Sequence, residues 1–219
     1  MHSKNPDFMS HQSSGPAEPS SPQTSPEAGR IAPPPPTRLR RASSRFMWAD
    51  PAHVVAMGFG SGLSPVAPGT VGTLWGWGSW VLLTLVLQDH ALGLLCLAAF
   101  PLGWWASTRT ARHLGISDPS AVVWDEIAAF WLILWVMGHP KWQLQLLAFL
   151  LFRLFDAAKP GPVGWADQLF KAPSGQAPGW RQGLGILIDD YVAAAMTLLC
   201  LALLAQVSAR TGLLAAWFA

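Results

Sequence analysis

The sequence predicts an all-α, membrane-associated protein: a compact bundle of several helices, about four to five of them at membrane level. Hydrophobic residues make up 51% of the 219 residues and charged residues only 12%, about half the charged fraction of a typical soluble domain. The hydrophobic residues fall into separate runs divided by short polar loops, and 13 Trp residues accompany a single Tyr. Because Trp is enriched at bilayer interfaces, this composition favours a protein embedded in a membrane.

The first 45 residues differ from the rest and are predicted to form a disordered tail. The segment HQSSGPAEPSSPQTSPEAGRIAPPPPT is rich in Pro and Ser and has no apolar periodicity. It therefore cannot bury enough surface to offset the entropy lost on ordering. The tail ends in a cluster of arginines, and the apolar segment of a secretory signal is absent. Residues 46–219 are predicted to form a helical membrane domain.

Apolar runs are predicted to form the helices of this domain. Each run is shorter than the ~20 residues needed to cross a bilayer core, although apolar flanks extend the third and the fifth. The runs span residues 74–87, 91–107, 127–138, 144–155 and 191–207. A last stretch, residues 213–219, is predicted to lie in the interface. The alternative is a helical domain that is only half sunk in the membrane.

The basic residues predict which side of the membrane each loop faces. Arginines precede the first run, and basic residues follow the second and the fourth runs. By the positive-inside rule, the tail and the loops 108–124 and 158–187 face the cytoplasm. The chain is thus predicted to be a multi-pass membrane protein whose acidic and glycine-rich segments lie together on the cytoplasmic side.

Acidic residues next to the apolar runs are the first candidates for a functional site. They are Asp125, Glu126, Asp156, Asp189 and Asp190. A charge at membrane depth costs a few kcal/mol or more, which makes it a functional candidate by default. The alternative is that each adjacent pair begins a helix, where the helix dipole favours acids. Converging carboxylates repel one another unless they are protonated or bridged by a cation. Oxygen ligands select Mg²⁺ or Mn²⁺, and no HxxxH spacing or cysteine cluster suggests zinc.

Positive side chains accompany the acids in the segment FRLFDAAKPGP. Arg153, Asp156 and Lys159 are spaced three apart, which places them on one helix face. The alternative is that these three side chains form a row on the helix surface in which opposite charges neutralise one another. Arg153 lies inside an apolar run, however, and a guanidinium there requires a carboxylate or a phosphate partner.

The loop GFGSGLSPVAPGTVGTL, residues 58–74, combines five glycines with four hydroxyl side chains and carries no charge. Its glycines let the backbone approach a ligand closely, and it runs into a helix N-terminus, which favours anions. It lacks the Lys of a P-loop, so the alternative is a tight turn at the start of a membrane helix. Beside the acids and Arg153, the loop predicts a phosphate cradle. The residues predicted to bind are Gly60, Gly62, Ser64, Gly69 and Thr70.

These features together predict an enzyme that acts on a phosphorylated lipid headgroup, with a cation that neutralises the phosphate. A small ion- or proton-coupled transporter is the main alternative, because membrane acids also serve as relays. That class predicts acids near mid-membrane and internal repeats. A structural subunit would leave the acids unexplained, and the DG…AR…G…D…D signature of CDP-alcohol phosphotransferases is missing. The net charge of +2 is too small to indicate nucleic-acid binding, and the sequence does not define an oligomeric state.

Four blocks of the sequence resemble the phosphatidylglycerophosphatase A family. They are GFGSGLSPVAPGTVGTL, VVWDEIAAFW, FRLFDAAKPGPVGWAD and GLGILIDDYVAA, and their order and spacing match that family over about residues 48–207. The resemblance implies an all-helical phosphatase domain in the bacterial inner membrane. It also implies an enzyme that needs Mg²⁺ and hydrolyses phosphatidylglycerophosphate to phosphatidylglycerol and phosphate.

The resemblance places the site on the charged residues of these blocks and on the glycine loop. The matching charged positions are Asp125, Glu126, Arg153, Asp156, Lys159, Asp189 and Asp190. The two adjacent acid pairs are predicted to hold Mg²⁺, with Asp156 in support, and the two basic residues to bind phosphate. Either a metal-bound water or a carboxylate attacks phosphorus, although the DxDx[TV] pattern of phosphoaspartyl enzymes is absent. The blocks contain no Cys or His, which argues against those nucleophiles.

Overall fold

The computed structural model describes residues 42–138, 140–170 and 178–212, which belong to the second of two units, residues 37–219. These described residues contain helices and no strand, so the predicted all-α class is confirmed. The α-helices are α1 Ser44–Met47, α2 Pro51–Ala56, α3 Pro68–Val86, α4 Asp89–Leu114, α5 Trp124–Met137, α6 Trp142–Ala158, α7 Gly161–Leu169 and α8 Trp180–Thr211, with a 3-10 segment at Gly58–Leu63. Most of the predicted tail and the predicted interfacial stretch, residues 213–219, lie outside the described residues, and α1 begins at Ser44.

The five predicted apolar runs correspond to the five longest helices, α3, α4, α5, α6 and α8. Local sequence explains several of the helix ends. Asp50 caps α2, where its carboxylate accepts a hydrogen bond from the Ala52 amide at 2.9 Å. Gly115, Gly138 and Gly212 end α4, α5 and α8 in the left-handed region, with φ of 72°, 63° and 72°.

Helix α5 lies at the centre of the fold and packs against α3, α4 and α8. Most of its apolar side chains up to Leu134 are buried, and Phe130 is 0% exposed, whereas Trp135 and Val136 near its C-terminal end are exposed. Its indole groups bond to neighbouring backbone, since Trp131 Nε1 donates to the Gly76 carbonyl and Trp124 Nε1 to the Ala99 carbonyl, both at 2.9 Å. The first turn of α5, which bears the acid pair at 125–126, is therefore held firmly by the core.

Among the described residues, α4 and α8 are long and apolar enough to cross a membrane. The predicted number of four to five membrane-level helices is not confirmed. Helix α5 has 14 residues, a length of about 21 Å, which falls short of a bilayer core of about 30 Å. Large apolar side chains nevertheless cover the outside of α3, α4 and α8, where several are between 58% and 77% exposed. They include Leu82, Leu85, Val86, Leu94, Leu97, Leu199 and Leu203.

Candidate active site

One cavity of about 530 Å³ brings the predicted charged residues together. It lies where the starts of α3 and α5, the end of α6, α7 and the first third of α8 meet. The seven charged residues predicted from the sequence all line it: Asp125, Glu126, Arg153, Asp156, Lys159, Asp189 and Asp190. Of the five predicted glycine-loop residues, Gly69 lines the cavity, whereas Gly60, Gly62, Ser64 and Thr70 do not.

Three carboxylates form a close group at the inner end of this cavity. Asp125, Glu126 and Asp190 each offer one oxygen atom, and these atoms lie within 4.8 Å of one another. Asp125 and Asp190 are 8% and 3% exposed. One buried oxygen on each of the three, Asp125 Oδ1, Glu126 Oε2 and Asp190 Oδ2, has no hydrogen-bond partner. Buried carboxylates without partners are costly, so this group suits a bound cation.

The pKa values of the α5 acid pair reflect this crowding. Burial raises the pKa of Asp125 well above its usual range, and the neighbouring charges of Glu126 and Asp190 raise it further. Burial also raises the pKa of Glu126 to about 7, an effect that the Asp156 charge increases and that Asp125 and Arg153 partly oppose. Without a cation, the pair therefore resists full ionisation near neutral pH.

Arg153 bridges two of the cavity acids. Its Nη1 lies 2.6 Å from Asp156 Oδ2 and 3.9 Å from Glu126 Oε1. The buried Nε of the same guanidinium has no partner. The contact with Asp156 lies within α6 and is one step of the neutralised row of charges that the three-residue spacing allowed. The contact with Glu126 joins α6 to α5. A donor thus remains on Arg153 for another acceptor.

Lys159 pairs with acids on two other helices rather than with its own. Its Nζ donates to Asp167 Oδ1 at 2.6 Å and to Asp189 Oδ2 at 2.7 Å. The residue ends α6 with φ of 44°, in the left-handed region, where a non-glycine residue is strained. Burial lowers the pKa of Lys159, but the two carboxylates outweigh this and hold it above its ordinary value. Asp189, a predicted metal ligand, is thus engaged by Lys159 and stands apart from the three-carboxylate group.

The glycine loop packs against the segment that leads into α5. A Cβ atom at Gly62 would collide with the Ala121 carbonyl oxygen, and one at Gly72 would come within 2.7 Å of Val123 Cβ. Gly69 has a different neighbour, since a Cβ atom there would meet Glu126 Oε1 and lie 3.1 Å from Arg153 Nη2. These close approaches explain why small residues stand there. The phosphate cradle stays a prediction, with Gly69 as the member that reaches the cavity.

Two further acids line the cavity and were not among the predicted site residues, Asp118 and Asp167. Asp167 lies eight residues after Lys159, and Pro160 separates them. Proline interrupts α6, and α7 then turns back so that Asp167 meets Lys159. The PGP turn followed by an acid was the signal in the sequence for this pair.

Comparison with known proteins agrees with the four motif blocks. The profile of the family described as Phosphatidylglycerophosphatase A matches residues 54–205. Phosphatidylglycerophosphatase A of Escherichia coli K12 is 35% identical over 156 residues, which cover 71% of this chain and 84% of that protein. The Haemophilus influenzae protein of the same name is 36% identical over 145 residues, 66% of this chain and 83% of its own length.

A third relative carries a different name. A Bacteroides thetaiotaomicron protein with the provisional name phosphatidylinositol-3-phosphatase is 33% identical over 156 residues, 68% of this chain and 90% of that protein. No solved structure matches the chain. Since the profile covers most of the sequence and these relatives exceed 30% identity over most of their own length, the chain belongs to the phosphatidylglycerophosphatase A family.

Proposed function

We propose that this protein is a Mg²⁺-dependent phosphatase that hydrolyses phosphatidylglycerophosphate to phosphatidylglycerol and phosphate. One observation carries the proposal: a cavity of about 530 Å³ places three close carboxylates beside Arg153 and Lys159. Carboxylates can hold a hard cation, and a guanidinium and an ammonium can hold a phosphate. The names of the Escherichia coli and Haemophilus influenzae relatives supply the substrate.

The residues of the cavity fit Mg²⁺. Asp125, Glu126 and Asp190 would hold it, because each has a buried oxygen without a partner and all three ligands are oxygen atoms. Asp189, the fourth predicted ligand, pairs instead with Lys159 and lies outside this group, although its Oδ1 is also buried without a partner. Bound there, Mg²⁺ would offset the carboxylate charges and polarise the phosphate.

The basic residues would bind and orient the phosphate group. Arg153 donates to Asp156 through Nη1, and the Nη2 group of the same guanidinium would donate to an oxygen of the phosphate. Lys159 uses two of its three ammonium donors on Asp167 and Asp189, and the third suits a phosphate oxygen. In the proposed reaction a water oxygen bonds to phosphorus and gives a proton to a cavity carboxylate. The bond from phosphorus to the glycerol oxygen breaks, and that oxygen takes up a proton.

We also propose that the protein lies in the bacterial inner membrane with this cavity facing the cytoplasm. The cavity is lined by residues from the start of α3, from the loop just after α4, from the start of α5, from the end of α6 and from part of α8. Each of these five helices therefore has one end near the cavity level, as alternating membrane-level helices would. The exposed apolar side chains of α3, α4 and α8 support contact with lipid.

The position of the acids favours a phosphatase over the ion- or proton-coupled transporter. Asp125 and Glu126 lie in the first turn of α5, Asp156 lies near the end of α6, and the other two acids lie in the first third of α8. All five line one cavity together with two cations that can bind phosphate. A relay through the membrane would instead place acids at mid-membrane. The shared chemistry of the relatives' names is a phosphomonoester on a lipid headgroup.

A substrate panel tests the proposal. Purified protein in detergent would receive phosphatidylglycerophosphate, phosphatidylinositol-3-phosphate or water-soluble glycerol phosphate, each with Mg²⁺ or with a chelator. We expect phosphate release from phosphatidylglycerophosphate that stops with the chelator and returns when Mg²⁺ is added back. Preference for phosphatidylinositol-3-phosphate would keep the lipid phosphatase and change its substrate. Folded protein that releases no phosphate from any of the three would refute the proposal.

A further inference from the structure

A second group of metal-ligating side chains lies away from the cavity, where α2 meets the end of α4. Asp50 caps α2, His53 lies within α2, and His113 lies in the last turn of α4. One ligand atom from each lies within 4.8 Å of the other two, and none of the three residues lines the cavity. We propose that Asp50, His53 and His113 form a separate binding site for a divalent transition-metal ion such as Zn²⁺.

His53 is held in the orientation that a metal ligand needs. Its Nδ1 lies 2.8 Å from the carbonyl oxygen of Phe46. A carbonyl only accepts hydrogen bonds, so Nδ1 carries the proton and Nε2 of the neutral ring presents its lone pair. The ring stacks on Phe46 with centroids 4.0 Å apart and is 2% exposed. A backbone carbonyl that fixes the far nitrogen is the usual support of a metal-binding histidine.

The lone pair of His53 points at the second imidazole. His53 Nε2 lies 2.8 Å from His113 Nδ1, with the two rings perpendicular. Because His53 Nε2 accepts, His113 Nδ1 is the donor of this hydrogen bond. A tetrahedral ion with bonds of about 2.0–2.1 Å would hold the two nitrogens about 3.3 Å apart. His113 is exposed at a helix end. To bind the ion through Nδ1, its neutral ring would carry its proton on Nε2 instead and move back by about 0.5 Å.

Asp50 can supply the third ligand without losing its present partners. Its Oδ1 accepts from the Ala52 amide at 2.9 Å, and its Oδ2 accepts from Arg109 Nε at 2.7 Å. Each carboxylate oxygen has a second lone pair, and a ligating carboxylate is commonly held by such outer hydrogen bonds. The Arg109 charge lowers the affinity for a cation, but its side chain is 49% exposed and screened by solvent.

The donor set separates this site chemically from the cavity. Two imidazole nitrogens and one carboxylate suit zinc and similar borderline ions, whereas the oxygen-only group in the cavity suits Mg²⁺. A bound ion would fasten α2 to α4. The carbonyl of Ala56, at the end of α2, accepts from the Val123 amide at 2.9 Å, so the same site braces the segment that leads to Asp125.

Zinc binding to the full-length, tag-free protein tests the proposal. Zn²⁺ would be titrated by calorimetry in detergent with millimolar Mg²⁺ present, which occupies oxygen sites and competes poorly for imidazole. We compare wild type, His113→Ala and His90→Ala, a control at the exposed opposite end of α4. We expect one tight equivalent of Zn²⁺ in wild type and His90→Ala, and an affinity at least about tenfold lower in His113→Ala.

Two further readouts keep the test decisive. Zn²⁺ should raise the Tm of wild type and not of His113→Ala, and Co²⁺ should give a visible spectrum of imidazole ligation that the substitution removes. His113→Ala should keep the Mg²⁺-dependent phosphatase activity, so loss of this site and failure of the proposed function are distinguishable. Equal Zn²⁺ binding by wild type and His113→Ala, or no tight binding by wild type, would overturn the proposal.

Discussion

Replacing Gly69 with Ala tests whether the start of α3 sets the position of Glu126 and Arg153. The added methyl group would collide with Glu126 Oε1 and lie 3.1 Å from Arg153 Nη2. To restore a van der Waals distance of about 3.5 Å, the Glu126 carboxylate must retreat by about 1 Å. A misplacement of about 1 Å in an active site costs up to about 100-fold in rate. We therefore expect kcat/KM to fall by about 10- to 100-fold.

The assay is phosphate release from phosphatidylglycerophosphate with Mg²⁺, together with the Tm of each variant. Gly78→Ala is the matched control, because it lies in the same helix and a Cβ atom there meets nothing within 4 Å. Ala is the better helix former by up to about 1 kcal/mol, so this control should be fully active and slightly more stable. Wild-type activity in Gly69→Ala, or an equal loss in both variants, would refute the reasoning.

Three further predictions concern the acids and the core. Asp190→Asn should raise the Mg²⁺ concentration for half-maximal activity at least about tenfold, because it removes a ligand charge. Asp118 lines the cavity but lies outside the three-carboxylate group, so Asp118→Asn should change this concentration far less. With the pKa of Glu126 raised from 4.5 to about 7, the metal-free folded protein binds a proton more tightly than the unfolded chain, so its Tm should fall as the pH rises from about 5 to about 8. Mg²⁺ should restore the Tm at the higher pH. A Tm that Mg²⁺ does not change at that pH would argue against a cation at the three-carboxylate group. Phe130→Ala should cost about 3–5 kcal/mol of unfolding free energy, whereas Leu85→Ala, which is 77% exposed, should cost little; equal losses would contradict the core assignment.

The helices and the gathering of charged residues were predictable from local patterns. An apolar run of 12 to 17 residues favours a helix, and each of the five runs lies in one or extends one residue past its end. Acids that adjoin one end of such apolar runs are expected at similar depth, even where, as in α8, the helix itself begins earlier than the run. For that reason Asp125, Asp156 and Asp190 could be placed together without any structure, and all three line the cavity.

Pairings between distant segments were not predictable in the same way. Lys159 pairs with Asp167 because α7 turns back after Pro160, and it pairs with Asp189 because α8 packs beside it. Asp189 is not a member of the three-carboxylate group. His53 and His113 are 60 residues apart in sequence, so no zinc-like spacing revealed them. The number of membrane-crossing helices was not predictable either, because an apolar helix can be buried in protein instead of in lipid. Helix α5 is strongly apolar and lies in the protein core.

The central claim is that carboxylates at the start of α5 and within α8 hold the Mg²⁺ that phosphate release requires. The most direct test is phosphate release from phosphatidylglycerophosphate by wild type and by Asp125→Asn, across a range of Mg²⁺ concentrations, with folding of both checked by Tm. Asp125→Asn nearly preserves the shape of the side chain and removes its charge. The account predicts Mg²⁺-dependent release by wild type and none by the folded variant. Release that survives in Asp125→Asn with the same Mg²⁺ dependence would contradict it.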